Sequence, residues 1–248
     1  MIGLFDSGCG GLTVLRAIRA RAPQVDIVYF GDIRNAPYGS KSQKELERLT
    51  KNGIQVLQSF GAKDVVSACN SASTSFLEGA TRGRFVEMTR PTARAMRLLA
   101  GARVLLLATE ATVKSGIYND ALDPIVSLTP LPAALLASSI ENGEDNAEIS
   151  RIVSTLFDIV ARKKFDAVLL ACTHYPLVRD VIQNEVDARW GHIPVLDPAD
   201  AVAEEVVERF PIAGGGKTTF YISKESAPFQ RLVRRLFGAR KYAVEVVS

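Results

Sequence analysis

The sequence has few cysteines, few aromatic residues and no apolar run long enough to span a membrane. Its 248 residues include 3 cysteines, 2 histidines and one tryptophan. An odd cysteine count in a chain of this length does not indicate a disulfide framework, so we expect a reducing, cytoplasmic location. Apolar runs such as residues 104–108 are far too short to cross a bilayer, and the first residues lack the basic region of a signal peptide.

The sequence also lacks a large excess of positive or negative charge. The 30 basic and 27 acidic residues give a formal net charge of +3, which is too small to indicate nucleic acid or a membrane surface as a partner. With 47% apolar and 23% charged residues, the composition is typical of a soluble globular protein, with one large domain or two smaller ones.

Segments of strand length alternate with amphipathic segments of helical length along the whole chain. Strands are predicted over residues 1–5, 25–30, 63–68, 85–88, 103–108, 125–128, 167–171, 193–196, 218–222 and 244–247. Helices are predicted over residues 12–21, 42–60, 91–99, 131–140, 148–161, 180–186, 198–209 and 227–237. This alternation predicts an α/β fold, with mostly parallel sheets flanked by helices on both faces.

Two short segments resemble each other. Residues 65–72 (VVSACNSA) and 168–176 (VLLACTHYP) each consist of an apolar strand, an Ala-Cys pair and then polar residues that can start a helix. The repetition predicts two similar lobes with a site between them. We place the first lobe at residues 1–92 plus 204–248 and the second at residues 93–203.

Both segments place a cysteine where α/β proteins bind their ligands, at the carboxyl end of a strand. The partial positive charge of a following helix favours a thiolate, so we expect Cys69 and Cys172 to have lowered pKa values. Two thiols that face each other across a cleft can exchange a proton with opposite faces of one small molecule. His174, two residues after Cys172, is placed to tune that thiol or to move its proton.

Other motifs favour simpler interpretations. Gly8, Gly10 and Gly11 follow a strand, and Asp32 lies about twenty residues on, but the third glycine of a dinucleotide fingerprint falls on Thr13. Residues 216–218 resemble the end of a phosphate loop, but they precede a strand. Cys172 and His174 are the only pair at metal-ligand spacing, so no metal is expected. Cys9 is interpreted as a buried small residue without a role.

Several motifs together resemble the bacterial glutamate racemases of the aspartate/glutamate racemase family. The likeness extends from Met1 to about Gly238, and the joint order and spacing of the motifs are specific although each motif alone is modest. The matching segments are residues 5–8 (FDSG), 31–32 (GD), 36–42 (APYGSKS), 68–72 (ACNSA), 112–115 (TVKS) with Tyr118, 171–177 (ACTHYPL) and 196–199 (LDPA).

The resemblance implies a cofactor-independent isomerase that interconverts L- and D-glutamate and supplies D-glutamate for peptidoglycan. It further implies two pseudo-symmetric α/β lobes with the active site between them, and a homodimer. By this likeness Cys69 acts as acid or base on the D-glutamate side with help from Asp6. Cys172 acts on the L-glutamate side with help from His174.

The resemblance also implies a set of residues that hold the substrate's ammonium and carboxylates. Glu141 matches an acidic residue near the second thiol. The substrate-binding matches are Asp6, Ser7, Pro37, Tyr38, Gly39, Asn70, Ser71, Thr173 and His174.

Three alternatives remain open from the sequence. The first is a racemase of aspartate or another amino acid. The second is a dinucleotide-binding protein that uses the turn at residues 8–11. The third is an interaction protein without catalysis, whose thiols would be unreactive.

Overall fold

The computed structural model describes residues 1–75, 83–238 and 242–247. The strands are β1 (Ile2–Asp6), β2 (Ile27–Gly31), β3 (Asp64–Ser67), β4 (Phe85–Val86), β5 (Arg103–Ala108), β6 (Ser127–Pro132), β7 (Ala167–Ala171), β8 (Val195–Leu196), β9 (Thr218–Ile222) and β10 (Val244–Val246). The helices are α1 (Leu12–Arg21), α2 (Gln43–Ser59), α3 (Asn70–Ser73), α4 (Thr89–Met96), α5 (Glu110–Ser115), α6 (Ile117–Leu122), α7 (Leu136–Asn142), α8 (Asn146–Asp158), α9 (Arg179–Trp190), α10 (Ala199–Arg209) and α11 (Ala227–Phe237).

Two parallel sheets organise the described part of the chain. The first has the strand order β10-β9-β2-β1-β3-β4, and the second has the order β6-β5-β7-β8. All strand pairs in both sheets are parallel. The predicted α/β class, with two sheets flanked by helices, is confirmed. In the described residues, no helix combines the length and the apolar character needed to cross a membrane.

Helices cover both faces of each sheet, as buried parallel strands require. Strands β1, β2 and β7 are buried along their whole length. In the first sheet, one face packs against side chains of α1, α10 and α11, and the other packs against α2. In the second sheet, α8 and α9 cover one face and α6 covers the other. Each fully buried Leu, Ile or Phe in these layers contributes about 1.5–3 kcal/mol.

Local sequence explains why α2 begins where it does and why it packs closely. Ser42 and Glu45 form a reciprocal capping box at its first turn, which satisfies backbone N–H groups that the helix leaves free. Gly53 allows the helix to pack closely on the first sheet, because a Cβ there would overlap the Phe5 ring. Phe5 is thereby fixed directly before Asp6, the last residue of β1.

The sequence-based boundaries are confirmed for strands β5, β7 and β9 and for helix α11. They are wrong around β6, which was predicted over residues 125–128 with a helix over 131–140. In the structure β6 extends to Pro132 and the helix begins only at Leu136. Pro130 and Pro132 are tolerated because β6 is an edge strand that pairs only with β5.

The two sheets correspond to the two halves of the predicted architecture. The chain enters the second sheet after α4 and returns to the first through α10. Ala199, Val202, Ala203 and Val206 of α10 pack in the core of the first sheet. The exact lobe boundaries, residues 1–92 with 204–248 and residues 93–203, stay a prediction.

Candidate active site

Cys69 and Cys172 line one cavity of about 350 Å³ between the two sheets. Each cysteine follows the carboxyl end of its strand, β3 or β7, as predicted. Both side chains are nearly enclosed, with 5% and 6% of their surface exposed. Of the other predicted site residues, the cavity is also lined by Ser7, Pro37, Tyr38, Gly39, Asn70, Ser71, Glu141, Thr173 and His174.

Cys69 lies in an environment that disfavours its thiolate. Its Sγ is 3.5 Å from the Ser7 hydroxyl, and the helix that follows it, α3, has only four residues. Burial raises the pKa of Cys69 to about 12, and the negative charge of Asp6 contributes to this rise. The predicted lowering of the pKa is therefore wrong for Cys69, because desolvation outweighs the hydrogen bond with Ser7 and the dipole of one helical turn.

Cys172 has a cationic neighbour. The Nδ1 atom of His174 lies 3.8 Å from its Sγ. The predicted α-helix does not follow directly: a 3₁₀ turn, Tyr175–Val178, comes first, and α9 begins only at Arg179. The charged group next to Cys172 is therefore the side chain of His174 and not the start of a long helix.

His174 and Glu141, both from the second lobe, form a largely buried ion pair in the lining of the cavity. The Nε2 atom of His174 is hydrogen-bonded to Oε2 of Glu141. Burial alone lowers the pKa of His174, but the carboxylate of Glu141 and the hydrogen bonds around the ring raise it well above its usual value. Burial alone raises the pKa of Glu141, but the imidazolium lowers it to about 2. At neutral pH the ring is therefore charged.

Asp6 is not among the residues that line the cavity, and its predicted contact with substrate stays a prediction. It is fully buried, and its Oδ1 accepts a hydrogen bond from the Gly8 N–H at 2.8 Å. Its Oδ2 accepts one from the Thr173 hydroxyl at 3.1 Å, across the two lobes. Burial raises the pKa of Asp6, although the charge of His174 opposes this effect. Asp6 positions the two turns that carry the contacting side chains.

Asn70 and Ser71 are held by side chains of the second lobe. The Tyr118 hydroxyl donates to Oδ1 of Asn70 at 2.6 Å, and the Ser71 hydroxyl lies 2.8 Å from that of Thr109. The Nδ2 of Asn70 is buried and has no hydrogen-bond partner in the described residues. A fixed amide with a free donor in a cavity is suited to bind a carboxylate oxygen.

The loop around Tyr38 is fixed by polar contacts on both sides. The Tyr38 hydroxyl donates to Asp32 at 2.8 Å, and the carbonyl of Gly39 accepts from the Ala111 N–H at 2.8 Å. A Cβ on Gly39 would lie 2.8 Å from the Cβ of Thr109. Glycine is therefore required for this close contact between the lobes.

The glycine turn at residues 8–11 serves the same close packing. A Cβ on Gly10 would overlap Oγ1 of Thr173, and one on Gly8 would lie 2.8 Å from Glu141. The space that a pyrophosphate needs above this turn is thus filled by the second lobe. The carboxylate of Asp32 is occupied by hydrogen bonds to Asn35, Tyr38 and Ser223. Both observations argue against the dinucleotide-binding alternative.

Several residues at the site were missed from the sequence. Thr109 follows β5, and Lys224 and Glu225 follow β9, so the rule that ligands bind at strand ends could have found them. Cys9 was predicted to have no role, but its Sγ donates to Oε2 of Glu141 at 3.1 Å. These two residues are 132 positions apart, so no local spacing in the sequence indicates their contact.

Comparisons with known proteins agree with this geometry. The model of the Asp/Glu/Hydantoin racemase family matches residues 12–206. The chain is 33% identical over 242 residues to the glutamate racemase of Aquifex aeolicus, covering 96% of this chain and 94% of that protein. It is similar to the structure of glutamate racemase RacE1 from Bacillus anthracis (TM-score 0.89, 26% identity, 100% and 97% of the two chains). It is also similar to the Thermus thermophilus glutamate racemase in complex with β-chloro-D-alanine (TM-score 0.84, 30% identity, 100% and 96%).

Proposed function

The chain belongs to the Asp/Glu/Hydantoin racemase family, a family of isomerases, and on that premise we propose that it interconverts L- and D-glutamate. The observation that carries the proposal is that Cys69 and Cys172, from two different sheets, line the same cavity. The proposed reaction uses these two thiols and no cofactor. The glutamate racemase names of its relatives support glutamate as the substrate.

Racemisation removes the α-proton from one face of the carbon and returns a proton on the other face. A single base would have to carry its proton around the carbanion, so two bases on opposite sides are the simpler arrangement. In the proposed mechanism Cys172 removes the proton of L-glutamate while Cys69 donates to the opposite face. In the reverse direction the two thiols exchange roles.

Each turnover must begin with one thiolate and one thiol. His174 beside Cys172 supplies a positive charge at that side of the cavity, whereas burial and the charge of Asp6 raise the pKa of Cys69. With a pKa of about 12, Cys69 alone would be ionised in only about one molecule in 10⁴ at pH 8. We infer that the ammonium group of the bound substrate supplies the positive charge that the Cys69 thiolate needs.

The cavity offers polar groups for both ends of a dicarboxylic amino acid. Asn70 contributes a free buried donor, the Ser7 hydroxyl lies 3.5 Å from Sγ of Cys69, and Thr173 also lines the cavity. Lys224 is exposed where it lines the cavity, and we propose that it attracts the side-chain carboxylate. Because the α-proton is very weakly acidic, these fixed donors and the exclusion of water must stabilise the carbanion.

The biological setting is proposed from the same resemblance. We infer that the product D-glutamate serves peptidoglycan synthesis, that the protein is cytoplasmic, and that it forms a homodimer. The three free cysteines are consistent with a reducing compartment. Sedimentation analysis tests the homodimer directly, because a monomer at micromolar concentration would contradict it.

Incubation of the purified protein with L- or D-glutamate in deuterated water tests the proposed activity. We expect optical rotation to decay to zero and deuterium to enter the α-position of the product. Aspartate, assayed under the same conditions, is the control for substrate identity. Racemisation of aspartate as fast as that of glutamate would contradict the proposed substrate. Absence of α-deuterium with either amino acid would contradict the reaction itself.

A further inference from the structure

Cys9, Glu141 and His174 form a cluster of three metal-type ligands beside the active site. One ligand atom of each residue lies within 4.8 Å of a ligand atom of each of the other two. In residues 1–75, 83–238 and 242–247 this is the one group of three possible metal ligands that lie this close together. Cys9 follows β1 in the first sheet, whereas Glu141 belongs to α7 and His174 follows β7. The cluster therefore joins the two lobes through side chains that the sequence separates widely.

The chemistry of the three groups suits Zn²⁺. Thiolate, imidazole and carboxylate are its usual ligands, at about 2.3 Å for sulfur and about 2.0–2.2 Å for nitrogen and oxygen. Tetrahedral geometry with those bond lengths separates the ligand atoms by about 3.3–3.6 Å. The Sγ of Cys9 and the Oε2 of Glu141 are 3.1 Å apart. The hydrogen-bonded side chains therefore need to move apart only slightly for the ion to take the place of the protons between them.

A second observation also points to a ligand at this position. The Oε1 atom of Glu141 is buried and has no hydrogen-bond partner among the residues that the structure describes. Gly8 leaves the space next to the carboxylate open, because a Cβ there would lie 2.8 Å from Oε2. A buried carboxylate oxygen without a partner costs free energy, and a bound cation would recover part of it.

Two cavities reach the cluster. Glu141 and His174 line the substrate cavity of about 350 Å³. Cys9 and Glu141 line a second cavity, of about 390 Å³, on the other side. A hydrated ion can reach the cluster from either cavity, and a water molecule can complete the fourth position. Three protein ligands with one open position are a common zinc arrangement.

We propose that Cys9, Glu141 and His174 bind Zn²⁺ and that occupation of this site inhibits the enzyme. The ion would replace the thiol proton of Cys9 and the proton shared by Glu141 and His174. His174 would then no longer be the imidazolium beside Cys172, whose Sγ is 3.8 Å from Nδ1. It would also tie α7 to the turn after β1 and so restrict separation of the lobes. Metal binding stands without the proposed function, whereas inhibition rests on it.

Titration of the whole protein with Co²⁺, a spectroscopic substitute for Zn²⁺, tests the binding site. Ligation by a thiolate gives a sulfur-to-cobalt charge-transfer band, and added Zn²⁺ should remove it by competition. We expect the band in the unaltered protein and in the Cys69→Ser and Cys172→Ser variants. In Cys9→Ser the band should disappear and Zn²⁺ affinity should fall by roughly tenfold or more. Cys9→Val is the second variant if Cys9→Ser does not fold.

Two outcomes would overturn the site. One is a charge-transfer band that survives in the Cys9 variants and is lost in Cys69→Ser or Cys172→Ser, which would place the metal on the active-site thiols. The other is no thiolate band at millimolar Co²⁺.

Inhibition is tested separately by glutamate racemisation with added Zn²⁺. Zn²⁺ should inhibit the unaltered protein and inhibit Cys9→Ser at least tenfold more weakly; equal inhibition of both would refute the inhibitory role. A protein that binds Co²⁺ through Cys9 but racemises nothing would refute only the proposed function.

Discussion

The two cysteine sites share a backbone but differ in their chemical surroundings. Both cysteines follow the carboxyl end of a buried parallel strand and line the same cavity. Cys69 has a neutral hydroxyl from Ser7 beside it and the charge of Asp6 nearby. Cys172 instead has the imidazolium of His174, which is held by Glu141. The repeated fold thus supplies matched positions, and different polar neighbours surround the two thiols.

This difference constrains what kinetics can reveal. Two enantiomers have equal free energies in an achiral solvent, so kcat/KM must be the same in both directions whatever the asymmetry of the site. The asymmetry can appear in the protonation of the free enzyme, in alkylation rates and in isotope exchange. We expect Cys172, beside its cation, to react faster with iodoacetamide than Cys69 does.

Removal of either thiol should have the largest effect on activity. In Cys69→Ala and Cys172→Ala we expect racemisation to fall by about 10³-fold or more, since each variant lacks one acid–base group. Cys9→Ala is the matched control, because it removes the third buried thiol and should stay within a few-fold of the unaltered rate. Polarimetry measures all three. A single-thiol variant with near-full activity would contradict the proposal that both thiols are needed.

Removal of the cation should have the next largest effect and should act on one site only. In His174→Gln we expect kcat to fall by roughly 10²-fold, because the Cys172 thiolate loses its charged partner. Alkylation of Cys172 should slow by a similar factor while that of Cys69 stays nearly unchanged. Mass spectrometry of the alkylated peptides measures both rates. Equal slowing of the two thiols would mean that His174 acts on the whole cavity.

The ion pair of Glu141 with His174 should stabilise the fold within a definite pH window. The pKa of Glu141 is lowered from 4.5 to about 2, so its contribution is present above pH 4.5 and is lost as pH falls toward 2. The pKa of His174 is raised from 6.5, so its contribution is complete below pH 6.5 and is lost as pH rises through the raised value. Both contributions are therefore complete between pH 4.5 and 6.5.

Thermal unfolding of the unaltered protein and of Glu141→Gln measures this window. Between pH 4.5 and 6.5 we expect the substitution to cost about 2 kcal/mol of unfolding free energy. The cost should shrink on both sides of the window. Glu144→Gln, at an exposed position just after α7, is a control that should show little loss at any pH. A cost that does not vary with pH would mean that packing, and not charge, stabilises this contact.

The smallest expected effect belongs to the neutral partner of the first site. Ser7 shares only one long hydrogen bond with Cys69, at 3.5 Å. In Ser7→Ala we therefore expect racemisation to fall only about threefold. A loss of activity in Ser7→Ala as large as that in His174→Gln would show that the hydroxyl of Ser7 carries a proton.

Lys224→Met should raise KM for glutamate by about threefold without changing kcat.

Much of the fold was predictable because buried parallel strands have a simple pattern. Residues 103–108 and 167–171 are continuous apolar runs with polar ends, and the structure confirms both strands. The segment at 125–140 was mispredicted as a short strand followed by a helix, because Pro130 and Pro132 do not favour a longer strand, whereas the edge of a sheet tolerates both. Edge position is a tertiary property that a local pattern does not contain.

The site was predictable where motifs follow strands and unpredictable where contacts cross the lobes. Cys69 and Cys172 were found from their repeated context. The burial that raises the pKa of Cys69 depends on how tightly the two lobes close, which the sequence does not state. The contact of Cys9 with Glu141 depends on the position of α7, and the hydrogen bond from Thr173 to Asp6 depends on how the two lobes meet.

Isotope exchange in the single-thiol variants tests the central claim most directly. In deuterated water the Cys69→Ala variant, which keeps Cys172, should incorporate α-deuterium into L-glutamate without inverting it. The Cys172→Ala variant should do the same only with D-glutamate. Nuclear magnetic resonance and chiral chromatography give the two quantities together. If either variant exchanged both enantiomers equally, or inverted them at the unaltered rate, the assignment of one thiol to each face of the substrate would be contradicted.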